Sequence, residues 1–303
     1  MHRYSLDHHL SRWSSVLGII VYLLFLLASS LIVLPTAQAD EMGGDDNPRA
    51  GLHHESKLQI RVEPPGLNYT TQTAFRLPLR DGSNILFEDR YLDLGVSTDL
   101  SPTFLWGGPY VEILPVAVLK LRATAQFKGY FGTFGHLHVT EEGDGSQQAR
   151  RNTRENDLTQ TGRGFRVELQ ATPQILIKQI AFLAESSIHR MIHSSDHPYY
   201  EPYFGLIFEP TELVIETNPT LGYLFGSRPE TGYLFLGARW ERTMARRSGH
   251  TQDKFGIAFN AQMPSDWFSW GSPVLAGLVA VRRKTPDEPD LAPFLGFQFI
   301  LNF

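Results

Sequence analysis

Cysteine is absent from the 303-residue chain, and its absence excludes both disulfides and thiolate metal sites. A chain of this length without cysteine favours an exported bacterial protein, because oxidising compartments penalise stray thiols. A basic excess is also lacking, since 27 Lys and Arg residues stand against 32 Asp and Glu residues. This mildly acidic balance argues against a nucleic-acid partner, which would call for a basic face.

Recognisable cofactor and catalytic motifs are missing as well. The chain has no glycine-rich phosphate loop, no dinucleotide fingerprint and no complete catalytic triad. We therefore predict no cofactor and no evident catalytic centre. Beyond residue 39, no apolar run reaches the roughly 18 residues typical of a transmembrane helix.

The N-terminus has the layout of a secretory signal peptide. Arg3 and Arg12 precede the apolar run Val16–Leu34, Pro35 ends that run, and a small-residue site closes with Ala39. This order predicts cleavage after Ala39, so that residues 1–39 are removed. The length of the apolar run leaves an alternative open, in which an uncleaved signal anchors a periplasmic β protein.

Cleavage makes the mature chain more acidic. Residues 1–39 contain two basic residues and one acidic residue of the 27 and 32 counted above, so 25 basic and 31 acidic residues remain and the net charge is −6. Residues 40–56 are rich in Gly, Asp and His, and we interpret them as a flexible lead-in. Residues 57–303 are then the folded domain.

Alternation with a period of two dominates the mature sequence. In 117–131 the odd-numbered residues are apolar or small, and most of the even-numbered ones are polar. Such alternation indicates strands with a different environment on each face, either in a soluble sandwich or in a membrane barrel. The length of this run favours the barrel, because a tilted strand needs about 9–11 residues to cross a bilayer.

The C-terminal strand carries the most specific signal in the chain. Its residues alternate up to a terminal aromatic, with one face formed by Leu295, Phe297, Phe299, Leu301 and Phe303. This ending resembles the terminal assembly signal of Gram-negative outer-membrane β-barrels. The resemblance covers about ten residues. It implies an outer-membrane location, contact with membrane lipid and recognition by the barrel-assembly machinery, and it leaves the oligomeric state open.

The fold predicted from these features is all-β, a closed antiparallel transmembrane barrel of about twelve strands within a range of 10 to 14. The polar stretch 141–164 is expected to be a long outer loop. Our strand boundaries, which include separate strands at 203–216 and 220–226, place it on the inner side when strands are counted backward from a last strand that ends in the periplasm. One boundary must therefore be wrong. Pro210 marks a suspected position for that error, because proline interrupts a strand ladder.

Polar residues on the alternating strands are predicted to face the lumen. His136 and His138 lie two apart and share one face of a strand predicted at 135–141. A lumen of both charge signs suits either a water-filled pore or a salt-bridged interior. The predicted lumen-facing set is Lys120, Arg122, Gln126, Lys128, His136, His138, Arg166 and Glu168.

Aromatic clusters beside turn residues favour girdles at the two membrane–water interfaces. The clusters are Trp106 with Tyr110; Tyr199, Tyr200, Tyr203 and Phe204; and Trp267, Phe268 and Trp270.

Three histidines recur at intervals of four, His189, His193 and His197. On a helix this spacing would stack the imidazoles as metal ligation requires. The segment lies between a strand and Pro198, however, so a polar loop is the favoured interpretation.

The same segment also suggests a hydrolase. Outer-membrane phospholipase A uses a His-x-Ser pair on a barrel strand, and His193 and Ser195 are similar to it in spacing. The resemblance implies a serine nucleophile with a histidine base. Asp196 departs from the family pattern, and Asn218 is too distant to be assigned as the residue that orients the histidine.

Two classes of function follow. The first is a non-enzymatic outer-membrane barrel that acts as a small pore or as a structural or binding barrel. The second is a lipid-acting hydrolase that uses His193 and Ser195.

Overall fold

The computed structural model describes residues 50–63, 66–79, 90–131, 161–228, 232–264, 273–285 and 288–302. No helix in these ranges is long and apolar enough to cross a membrane. The regular elements are the strands β1 (Gly51–Glu63), β2 (Gly66–Pro78), β3 (Tyr91–Leu100), β4 (Phe104–Val116), β5 (Leu119–Tyr130), β6 (Gly162–Ile177), β7 (Ile180–His193), β8 (Tyr199–Glu201), β9 (Leu206–Phe208), β10 (Thr211–Arg228), β11 (Gly232–Ala245), β12 (Thr251–Gln262), β13 (Val274–Thr285) and β14 (Glu288–Asn302).

Twelve of these strands form one closed antiparallel barrel, which confirms the predicted fold class. Consecutive barrel strands are hydrogen-bonded neighbours, and β14 pairs with both β13 and β1. The C-terminal strand therefore closes the barrel, with Leu58 opposite Phe299 and Ile60 opposite Phe297. In the described part of the chain, every barrel strand therefore has a neighbour on both sides, as a bilayer requires.

The outward face of the barrel is apolar. Phe127 is 72% exposed, Ile177 66% and Phe255 62%. Side chains of this size are rarely exposed together on a protein surrounded by water. The alternation read from the sequence thus separates an outer surface suited to lipid from a more polar interior.

One barrel strand, β2, is absent from the predicted set. Its sequence includes Thr70, Thr71, Gln72 and Thr73, so polar residues lie on both faces and the alternation carries no contrast. Because β2 precedes the long polar stretch, its omission does not change a strand count made backward from the C-terminus.

Two further boundaries need correction. Pro210 directly precedes β10, which continues through Pro219 as one strand where two were predicted, at 203–216 and 220–226. With one strand there, seven barrel strands follow the connection from β5 to β6, so that connection lies at the barrel end opposite to the end of β14, as expected for the long outer loop. The ladder to β11 has no pairs between Thr217 and Thr220, which accommodates the proline. The barrel also begins before residue 57, because the polar segment from Gly51 onward pairs with β2 and belongs to β1.

Some predictions fall outside the described residues. These are the signal peptide at 1–39, the strand expected at 135–141 with His136 and His138, the aromatic cluster around Trp267, and Phe303.

Candidate functional site: a lumenal hairpin with a cavity

The connection between β7 and β10 folds into the lumen. We call residues 194–210 the plug hairpin, since β8 and β9 pair within it as a small antiparallel sheet. Its strand residues are buried, with Leu206 and Phe208 at 0% exposure. An external loop of this length would leave such apolar residues in water, so burial inside the barrel favours the inward position.

Contacts from around the barrel hold the plug hairpin. Arg61 Nη1 on β1 donates to the Tyr203 carbonyl oxygen at 3.1 Å. Lys284 Nζ on β13 donates to the Gly205 carbonyl oxygen at 2.7 Å. Ser248 Oγ, beyond β11, donates to the Ile207 carbonyl oxygen at 2.8 Å. The hairpin is therefore held across the lumen, with contacts to β1, to β13 and to the residues after β11.

Glu201 is the central anchor of the plug hairpin. Its Oε2 lies 2.8 Å from Lys128 Nζ, and the two side chains are 0% and 1% exposed. Tyr130 donates its hydroxyl to the same oxygen. Lys128 Nζ also lies 3.6 Å from the centroid of the Trp106 ring. A buried carboxylate needs such partners, because burying an unpaired charge is costly.

Aromatic packing supports this anchor. The His193 ring stacks on Tyr199 with centroids 4.1 Å apart, and Trp106 lies 4.7 Å from Tyr203. Burial raises the pKa of Tyr203, which keeps its phenol protonated. The predicted membrane girdle is therefore wrong for Trp106, Tyr199 and Phe204: these side chains are buried inside the lumen, because the hairpin turns inward.

A cavity of about 910 Å³ lies below the plug hairpin. It reaches from Tyr203 and Phe204 to the turn at Val118, near the opposite end of the barrel. Part of its wall is apolar. We call this part the apolar wall, and its members are Leu224, Phe235, Ala258, Leu278 and Phe294.

A row of charged residues lies between the apolar wall and the plug hairpin. Glu241 accepts hydrogen bonds from Arg239 Nε at 2.7 Å and from Lys254 Nζ at 2.8 Å. Glu216 lies beside it and pairs with His189 Nε2 at 2.9 Å. Arg61 also lines the cavity. The row therefore has three positive charges, on Arg61, Arg239 and Lys254, against the two negative charges of the glutamates.

The opposite side of the lumen is polar and closely cross-linked. A smaller cavity of about 200 Å³ lies there. Glu112 Oε1 accepts a hydrogen bond from Tyr91 Oη at 2.8 Å. Its Oε2 lies 3.5 Å from Arg122 Nη1 and 3.9 Å from Lys120 Nζ. We call the inward side chains of β2–β6 the polar wall. The structure places six of the predicted lumen-facing residues on this wall: Lys120, Arg122, Gln126, Lys128, Arg166 and Glu168.

The histidines of the sequence motif do not converge. His189 and His193 are buried on the inward face of β7, whereas His197 lies in the exposed part of the plug hairpin. Within the described ranges, no three His, Asp or Glu side chains are grouped as metal ligands would be.

Ser195 is held by backbone contacts. Its hydroxyl donates to the His197 carbonyl oxygen at 2.9 Å and accepts from the His197 nitrogen at 3.1 Å. His193 Nδ1 accepts from the Ser195 backbone nitrogen at 3.0 Å. In this arrangement a ring nitrogen of His193 faces the Ser195 amide, where a nucleophile pair would need it to face the hydroxyl.

Sequence reasoning did not single out Glu201 or the Arg239, Glu241 and Lys254 row. Arg239 and Glu241 are spaced two apart on one strand, and this signal could have placed them on one face. Glu201 gave no such signal, because its role depends on a hairpin whose inward position is set by distant strands.

Comparisons with known proteins give similarities of fold alone, since no family model and no curated protein matches the chain. The beta domain of the Bordetella autotransporter BrkA is similar at 11% identity and a TM-score of 0.45, covering 84% of this chain and 100% of that one. LpxR from Salmonella typhimurium is similar at 9% identity and a TM-score of 0.40, covering 83% of this chain and 100% of LpxR. An outer membrane channel from Pseudomonas putida F1 is similar at 11% identity and a TM-score of 0.43, covering 86% of this chain and 99% of the channel. At these values the similarities carry no argument about activity.

Proposed function

We propose that the protein is an integral outer-membrane barrel whose lumen binds a small anionic amphiphile beneath the plug hairpin. The observation that carries this proposal is the apolar wall beside the row of charges around Glu241. If the last strand ends in the periplasm, the cavity opens toward the periplasm and the plug hairpin faces the cell exterior.

The apolar wall is the unusual feature of this interior. Lumens of outer-membrane barrels are normally polar because water fills them. Exposing Phe235, Leu278 and Phe294 to water is unfavourable by about 25 cal/mol for each Å² of apolar surface. A ligand with an acyl chain would cover that surface, and a cavity of about 910 Å³ falls within the usual range for small-molecule sites.

The charged row gives the ligand a preferred orientation. Arg239 and Lys254 share the carboxylate of Glu241, so a second anion near them would meet a positive surplus. An acyl chain along the apolar wall would then place a carboxylate head toward this row. We therefore expect decanoate to bind more tightly than decylammonium, which has the same chain length and the opposite charge.

Binding is tested with the full mature chain refolded in amphipol, by equilibrium dialysis against radiolabelled decanoate. Ala258→Trp fills the cavity from its inward face and should weaken binding by about tenfold or more. Ile257→Trp is the matched control, because the neighbouring residue points outward and is 58% exposed. Equal binding by the two variants, or none by the wild type, would refute the proposal.

Export and assembly are tested separately in cells. N-terminal sequencing of the protein from the outer-membrane fraction should give a chain beginning at Asp40, and a chain beginning at Met1 would favour the uncleaved anchor.

Deletion of Phe303 should reduce the heat-modifiable, membrane-inserted form. Unchanged insertion would contradict the assembly signal assigned to Leu295, Phe297, Phe299, Leu301 and Phe303.

A further inference from the structure

A polar cluster lies on the outward face of β1 and β2, within the apolar surface. His54 and Ser56 have the same parity in β1 as Leu52 and Ile60, which are 63% and 47% exposed. The next residue, Lys57, has the opposite parity and lines the inner cavity on the polar side. His54 and Ser56 therefore point away from the lumen, near the end of the barrel where β14 finishes, and Ser56 is 7% exposed beneath its neighbours.

Hydrogen bonds connect four side chains of this cluster in a chain that runs from Thr73 through His54 and Ser56 to Tyr69. His54 Nε2 lies 3.0 Å from Ser56 Oγ, and His54 Nδ1 lies 2.8 Å from Thr73 Oγ1. The Tyr69 hydroxyl lies 3.2 Å from Ser56 Oγ. The strand register accounts for these contacts, because His54 is paired with Thr73 across the β1–β2 ladder and Ser56 lies two residues further on the same face.

The two ring nitrogens of a neutral histidine have different roles, since one donates and the other accepts. With the proton on Nδ1 donated to Thr73 Oγ1, Nε2 accepts the hydroxyl proton of Ser56. This is the arrangement that activates a serine, with a base within hydrogen-bond reach and a third group that orients the base. Tyr69 supplies a donor on the other side of the same oxygen.

We propose that Ser56 and His54 form an ester-hydrolysing site that faces the membrane and takes acyl esters of lipids. Ser56 Oγ adds to the ester carbonyl carbon while its proton passes to His54 Nε2. The bond to the alcohol oxygen then breaks, and the alcohol leaves with that proton. Water, deprotonated by His54, attacks the acyl-serine, releases the fatty acid and returns the proton to Ser56.

The surroundings fix the substrate class. Leu52, Leu58 and Phe75 share the outward face with the cluster, so an acyl chain can lie against the barrel beside Ser56. Tyr69 can donate to the oxygen that becomes negative during addition. Thr73 acts as a positioning residue, because it contacts His54 and not the reacting atoms.

The first test uses wild-type chain refolded in vesicles of 1-palmitoyl-2-oleoyl phosphatidylethanolamine and phosphatidylglycerol. Fatty-acid release is measured by mass spectrometry, and a fluorophosphonate probe is applied in parallel. We expect release above that of empty vesicles and probe attachment on the peptide that contains Ser56. No release together with no labelling of Ser56 would overturn the proposal.

Variants separate this site from others. Ser56→Ala and His54→Ala should each lower the rate by about 10²-fold or more. Ser186→Ala is the matched control, since Ser186 lies on the outward face of β7, and it should leave the rate within about twofold. A loss of release in Ser195→Ala with full release in Ser56→Ala would assign the activity to the plug hairpin and contradict the proposal.

The role of Thr73 in positioning His54 is tested by kinetic properties that a purely structural role would not change. Thr73→Val should lower kcat with little change in KM and shift the acid limb of the pH profile, whereas Thr73→Ser should restore both. Decanoate binding by the lumen reports correct folding in every variant. Because that binding depends on inward-facing side chains and the ester-hydrolysing site on outward-facing ones, failure of the one and failure of the other are distinguishable.

Discussion

The polar wall and the apolar wall enclose the same lumen but carry different kinds of side chain. On the polar wall, charged groups pair across neighbouring strands, as in the bidentate pairing of Arg76 with Asp93 at 2.8 and 2.7 Å. On the apolar wall, Ala258, Leu278 and Phe294 pack together and border the larger cavity. The first wall fills its space with its own side chains, and the second leaves space for another molecule.

This difference assigns distinct roles to the two walls. A network such as the one around Glu112 is rigid when all its members are satisfied, and it leaves only a small polar cavity. The apolar wall contributes less to rigidity but presents a surface that favours an acyl chain. The plug hairpin joins the two, since Glu201 binds Lys128 of the polar wall while Tyr203 and Phe204 form the roof of the larger cavity.

The largest expected effect comes from removing the anchor that joins the walls. Glu201→Ala leaves Lys128 buried without its carboxylate, which costs about 3–5 kcal/mol. The plug hairpin should then leave its position. We expect no conductance from the wild type in planar bilayers and reproducible single-channel conductance from Glu201→Ala. Glu209→Ala, in the same hairpin, is the control. Conductance of the wild type equal to that of Glu201→Ala would contradict a closed lumen.

An intermediate effect is expected on the polar wall. Glu112→Ala removes the acceptor shared by Tyr91, Arg122 and Lys120, and should lower the free energy of unfolding by about 2 kcal/mol. Asp253→Ala removes an outward, partly exposed acid beside Arg242, and should cost less than about 1 kcal/mol. Urea unfolding of both variants in the same vesicles measures the contrast. Equal losses would remove the distinction between an interlocked wall and an ordinary surface.

The smallest effect in free energy is expected on the apolar wall. Phe294→Ala should weaken decanoate binding by about tenfold, which corresponds to about 1.4 kcal/mol, through lost contact with the acyl chain. Phe255→Ala removes the same side chain from the outward face, where Phe255 is 62% exposed, and should leave binding unchanged. Isothermal titration with decanoate measures both. Weakening by Phe255→Ala alone would place the ligand outside the lumen.

The sequence predicted the barrel, the number of strands and the closing strand because alternation is a local property. Leu119 to Tyr130 alternates strongly enough to be read directly. The same reasoning missed β2, since Thr71 and Thr73 face outward while Thr70 and Gln72 face inward. Where both faces are polar, only the pairing with β1 and β3 identifies the strand.

The candidate sites were less accessible to sequence reasoning because they depend on contacts between distant strands. Tyr199 and Phe204 have the composition of an interfacial girdle, and only the inward turn of the hairpin buries them. His54 and Ser56 lie in a segment whose composition is typical of a lead-in. Their relation becomes visible when β1 is extended to Gly51 and Thr73 is placed opposite His54.

The plug hairpin also bears on the order in which the barrel folds. It lies in the middle of the chain, yet it contacts Arg61 on the first strand and Lys284 on the thirteenth. The Arg61 contact alone spans 142 residues of sequence. Contacts of such separation form late, since the entropy of a large loop is lost before they contribute. Seating of the hairpin should therefore follow the meeting of the two ends of the barrel, which makes burial of Trp106 a kinetic marker of closure.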